Sequence, residues 1–137
     1  MKAIFLDIDG VLNVDSDRTI SPEKVKLLSS LIKKTNAEVI LSSSWRYGWN
    51  DPTQNTEGKR VYNTKKILKD NEIIIEKTID LPLTKDIQIS NYLKEYKPSN
   101  FVVLDDETVE TPNFIHINGN VGLTEADCEK AVSILNR

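Results

Sequence analysis

A short apolar run, Ala3-Ile4-Phe5-Leu6, leads straight into Asp7-Ile8-Asp9-Gly10, and this junction limits the possible folds more than any other feature of the chain. A run without polar alternation suits a strand covered on both faces, as in a parallel α/β sheet. Carboxylates gathered where such a strand ends lose hydration, so a cation or a proton has to compensate them. The plain alternative is a solvated turn with Gly10 as its permissive residue. Later segments supply matching parts and favour the first reading.

Strands alternate with helices along the rest of the chain. Ser21-Pro22-Glu23 reads as a helix start, with a capping hydroxyl and a proline in the first turn. Val25, Leu28, Leu31 and Ile32 then recur at helical spacing through Lys34. Residues 37–41 form a second strand that ends in Ser42-Ser43-Ser44-Trp45-Arg46, and the polar stretch 47–58 is a loop. A helix over 59–69 and a short strand at Ile73, Ile74 and Ile75 follow. Ile89, Tyr92, Leu93 and Tyr96 mark one face of a helix over 86–96. Residues 101–104 form a fourth strand closed by Asp105-Asp106-Glu107, and 114–117 a fifth. Thr124 caps the last helix with Asp127 at its third position, and Cys128, Ala131, Val132 and Leu135 face its core.

This alternation predicts an α/β fold: a Rossmann-like three-layer sandwich around a central, mainly parallel five-stranded sheet. With 137 residues and 39% hydrophobic content, the chain suits one domain, 1–137. A net charge of −3 gives no general attraction to polyanions. The single Cys128 rules out an intramolecular disulfide and fits a reducing, cytoplasmic setting. No apolar run is long enough for a membrane span.

In parallel sheets, ligands bind at the carboxyl ends of the strands near a topological switch point. Here Asp7 and Asp9 follow the first strand, Ser42 and Ser43 the second, and Asp105 and Asp106 the fourth. Hard oxygen donors with few nitrogen or sulfur donors nearby favour Mg²⁺ over zinc. Lys85, at the start of the helix before the fourth strand, is the nearest basic candidate for an anionic substrate. A carboxylate nucleophile, a metal, hydroxyl and amide donors and a cation together match phosphoryl transfer.

At these residues the chain resembles a known family. Asp7-Ile8-Asp9-Gly10-Val11-Leu12, the serine after the second strand, Lys85 and Asp105-Asp106 are similar to the four motifs of the haloacid dehalogenase (HAD) superfamily of phosphohydrolases. Phe5 to Asn13, Ser42 to Arg46, Leu104-Asp105-Asp106 and Gly122-Leu123-Thr124 resemble a subgroup named for the "Swiss Army Knife" RNA-repair proteins. That subgroup often carries an arginine where Lys85 stands. The resemblance implies a phosphatase in which Asp7 forms an aspartyl-phosphate and Asp9 serves as general acid and base. It implies Mg²⁺ held by Asp7, Asp105, Asp106 and Asp9, the last through its backbone carbonyl. Ser42 would bind the phosphoryl group, with Ser43 as the alternative; Arg46 and Gly10 complete the substrate-contact candidates.

Other polar residues read as structural: His116 inside a short apolar strand, Cys128 in the core, and Asp15 and Asp17 in a solvated turn. Superfamily members often carry a cap domain over the site, yet residues 14–20 leave little room for one. An open site admits a bulky phosphorylated substrate, such as a polynucleotide end or a phosphoprotein, as well as a small molecule. The 47–58 loop is a candidate lid, and Lys59, Arg60, Lys65, Lys66 and Lys69 form either a solvated helix face or a docking surface. No obligate protein partner is evident. The alternatives are a catalytically silent binding module, a phosphotransferase, and a receiver-like signalling domain. The receiver reading fails on placement, because no lysine directly follows Ile117.

Overall fold

The computed structural model describes residues 1–14, 19–42, 56–79 and 84–137, with the side chains of 56–61 left aside. Within them the chain runs β1 (Lys2–Leu6), α1 (Pro22–Thr35), β2 (Glu38–Leu41), α2 (Thr56–Asp70), β3 (Ile75–Thr78), α3 (Lys85–Tyr96), β4 (Asn100–Asp105), β5 (Phe114–His116) and α4 (Glu125–Leu135). The five strands form one sheet in the order β3-β2-β1-β4-β5, with every pair parallel. This is the expected α/β, Rossmann-like layout.

Strand β1 lies at the centre, which is why Ala3, Ile4, Phe5 and Leu6 are all fully buried. Successive residues face opposite sides of a strand, and the core divides accordingly. Ile4, Leu6, Val39, Leu41, Val102 and Leu104 pack with residues of α1, α2 and α4 on one face. Ala3, Phe5, Ile40 and Val103 pack with Ile89 and Tyr92 of α3 on the other. The handedness of parallel crossovers explains this division. Two right-handed steps from β1 to β3 put α1 and α2 on one face, and the return step to β4 puts α3 on the opposite one.

Local signals set the helix ends. The Ser21 hydroxyl accepts a hydrogen bond from Lys24 N at 3.4 Å, and Asn36 closes α1 in the left-handed region. Thr124 and Asp127 form a reciprocal capping box at the start of α4, which satisfies two otherwise unpaired donors. The third strand departs from expectation, because the ladder begins only at Ile75. Residues before it are used to leave α2: Glu72 has φ 61° and Ile73 N–H donates to Leu68 O. Ile73 is then buried, while Ile74 is 71% exposed. Among the described residues, no helix is long and apolar enough to cross a membrane.

Candidate active site

The strand order reverses between β1 and β4, and the polar residues collect there. Register pairs Ile40 with Phe5, Phe5 with Val103 and Val103 with Phe114, an apolar row across four strands. Two residues further along the same strands comes Ser42, Asp7, Asp105, His116. The ladder carries on into that row. Ser42 N–H donates to Leu6 O at 2.9 Å, Asp7 N–H donates to Leu104 O at 3.0 Å, and Asp105 pairs in register with His116. Because the side-chain period of a strand is two, this polar row shares the sheet face that α3 covers.

Lys85, the first residue of α3, reaches the row from that face. Its Nζ donates to Asp105 Oδ2 at 2.7 Å and lies 3.7 Å from Asp7 Oδ2. A cation in the first turn opposes the helix dipole, so the two carboxylates account for its position. Asp105 is fully buried and Asp7 is 5% exposed. Carboxylate oxygens of Asp7, Asp105 and Asp106 all lie within 4.8 Å of one another. Glu107 N–H also donates to Asp105 Oδ1 at 2.9 Å, fixing that carboxylate in the turn.

Among the described residues, three carboxylates against one ammonium leave two negative charges, the charge that a divalent cation neutralises. The donor set is all oxygen and largely buried, which suits Mg²⁺. The carboxylate of Asp9 is not in this group; its Oδ1 accepts from Asn13 Nδ2 at 3.1 Å. Gly10 adopts φ +79°, and a Cβ there would lie 2.8 Å from Asp106 Cβ and run into its carboxylate. Its amide donates to Asn13 Oδ1, so in this structure Gly10 serves to admit Asp106. Ser42 is fully buried, and its Oγ has no hydrogen-bond partner among the described residues.

A family model described as the HAD domain in Swiss Army Knife RNA repair proteins matches residues 3–128. The chain belongs to this family. No curated protein and no solved structure matches it. Membership agrees with the motif resemblance in the sequence and gives the acidic row its context, a superfamily of phosphohydrolases that generally uses Mg²⁺.

In this HAD domain the structure brings together Asp7, Asp105, Asp106 and Lys85, with Ser42 beside Asp7 in the row. Ser43, Arg46 and the proposed lid up to residue 55 lie outside the described residues, as do Asp15 and Asp17. His116 reads from the sequence as structural. It stands at the polar rim, and its Nε2 lies 2.7 Å from Asp106 O. The signal for it was available: His116 follows Phe114 by two residues, as Asp7 follows Phe5 and Asp105 follows Val103.

Ionisation follows the same packing. Burial alone would lower the Lys85 pKa, but Asp7 and Asp105 outweigh it and hold the ammonium above its ordinary 10.5. Burial, reinforced by Asp127, pushes the Cys128 thiol up to about 11. Burial, reinforced by Glu38, pushes the Tyr92 phenol up to about 12. In each case the folded chain keeps a proton that the unfolded chain gives up first, so stability falls as pH rises. The contributions are intact below pH 9.0, the ordinary thiol value, and fade as pH climbs through the folded values. Urea unfolding at pH 7.5 and pH 10.5 is expected to show a lower midpoint at the higher pH; an unchanged or higher midpoint there contradicts this.

Proposed function

We propose that this HAD domain is a Mg²⁺-dependent phosphomonoester hydrolase working through an aspartyl-phosphate on Asp7. The observation that carries the reading is Ser42. A hydroxyl buried without a partner costs about 1–3 kcal/mol, and this one stands beside Asp7 at the rim. A phosphoryl oxygen placed against Asp7 gives that hydroxyl its acceptor.

In the first half-reaction an Asp7 carboxylate oxygen attacks phosphorus in line. The ester P–O bond breaks, and Asp9 gives its proton to the leaving oxygen. In the second, water attacks phosphorus, Asp9 takes a water proton, and the bond to Asp7 breaks to release inorganic phosphate. Asn13 orients Asp9 for both transfers through its bond to Oδ1. Lys85 donates to Asp105 and lies 3.7 Å from Asp7, so its ammonium offsets part of their negative charge. Asp7, Asp105, Asp106 and the Asp9 carbonyl are the residues that would hold Mg²⁺, which when bound supplies charge neutralisation for an incoming phosphate. Residues 1–137 form one domain on this reading, with a site open to a small phosphate ester, a nucleic-acid end or a phosphoprotein.

The reading is tested on a panel of nucleotides, sugar phosphates, phosphopeptides and phosphorylated oligonucleotides, each with Mg²⁺ and with EDTA. Release of phosphate with Mg²⁺ alone supports it; none on any substrate opposes it. Ser42→Ala separates function from folding. It is expected to lower turnover about 10²-fold, the scale of one lost oxyanion donor, while leaving stability unchanged or higher. A Ser42→Ala variant that is less stable and fully active contradicts the role given to this hydroxyl.

A further inference from the structure

Asp106 stands one residue past the end of β4. β4 ends at Asp105, whose carbonyl accepts from Ile117 N–H at 2.8 Å. The next carbonyl, that of Asp106, lies 2.7 Å from His116 Nε2. A carbonyl can only accept, so Nε2 carries the hydrogen and donates. The ring is stacked on Phe114, with centroids 5.4 Å apart and planes at 29°, which fixes the direction of that donor. His116 is exposed to solvent, so core burial does not explain a histidine there. On the other side, the Asp106 side chain occupies the space that a Cβ on Gly10 would take. Asp106 is therefore confined by Gly10 at its carboxylate and by His116 at its backbone.

We propose that His116 is a positioning residue for the cation cluster: its Nε2–H fixes the Asp106 peptide so that the carboxylate stays with those of Asp7 and Asp105. This rests on the reading of the cluster as a Mg²⁺ site, and it adds a member from β5 that the four motifs do not contain. Groups that orient metal ligands from one shell out typically change affinity by about 10–100-fold when removed.

The test is Mg²⁺ affinity by titration calorimetry on the full chain, with thermal unfolding in EDTA alongside. His116→Phe keeps an aromatic ring on Phe114 and removes the donor. It is expected to weaken Mg²⁺ binding about tenfold and to leave the EDTA unfolding midpoint close to the parent's. His116→Gln places an amide N–H near the former Nε2 and is expected to recover most of that loss. His116→Asn, whose amide stops short of Asp106, is expected to bind as weakly as His116→Phe and serves in its place should the latter fold poorly. The proposal is overturned if the donor-less variants bind Mg²⁺ within about twofold of the parent, or if His116→Gln binds no better than they do. Failure of the parent itself to bind Mg²⁺ is a separate result; it removes the cation site and leaves the hydrogen bond without this role.

Discussion

Asp7→Asn is expected to lower Mg²⁺-dependent phosphatase turnover by about 10⁴-fold or more, the scale on which loss of a nucleophile acts. The substitution keeps the volume of the side chain and the backbone bond from Asp7 N–H to Leu104 O. It removes the charged oxygen that attacks phosphorus and one of the three clustered carboxylates. The fold is expected to persist, because the apolar row beneath Asp7 is untouched. Circular dichroism and thermal unfolding verify that point, and phosphate release measures the loss. Substantial Mg²⁺-dependent turnover by a folded Asp7→Asn variant would mean that the nucleophile lies elsewhere.

Lys85→Met has the largest expected effect on stability. Asp105 is fully buried and Asp7 nearly so, and Lys85 is the cation bridging both. Removing one partner of a buried pair typically costs about 3–5 kcal/mol, because the remaining charge has lost its compensation. In EDTA the variant is therefore expected to unfold at a markedly lower urea concentration. If the folded cluster binds Mg²⁺ as proposed and the unfolded chain does not, millimolar Mg²⁺ is expected to recover much of the loss. Lys85→Arg, which keeps the charge, is expected to fall between the two. Parent-like stability of Lys85→Met in EDTA would show that the ammonium is not what stabilises these carboxylates.

The parts of the fold that were legible from sequence are those where local chemistry and burial agree. Ala3–Leu6 read as a central strand because it is apolar on both faces, and it is covered on both. Ser21-Pro22 and the Thr124/Asp127 pair marked helix starts, since the capping groups there act on nearby backbone. The acidic rim was legible because desolvated carboxylates at strand ends demand compensation, and Lys85 supplies part of it. β3 was misplaced for a physical reason. It is an edge strand, so its residues carry no two-sided apolar signature; of the three isoleucines only Ile75 joins the ladder, while Ile73 bonds back to Leu68 at the exit from α2. The place of His116 depends on register, which a single sequence does not display. Only pairing with Asp105 reveals that this histidine occupies the row of Ser42 and Asp7. Asp9 is assigned to the cation through its backbone carbonyl, on the family resemblance; its carboxylate accepts from Asn13, four residues on, and stays outside the acidic cluster.

The central claim is that Asp7 itself becomes phosphorylated during turnover. Its most direct test is acid quenching of the protein during steady-state hydrolysis with Mg²⁺, borohydride reduction of any acyl phosphate, and peptide mass spectrometry. The expected result is conversion of Asp7 to homoserine in the parent and no such mark in Asp7→Asn. Steady turnover with Asp7 unmodified, or with the reduced residue at Asp9, Asp105 or Asp106, would contradict the account.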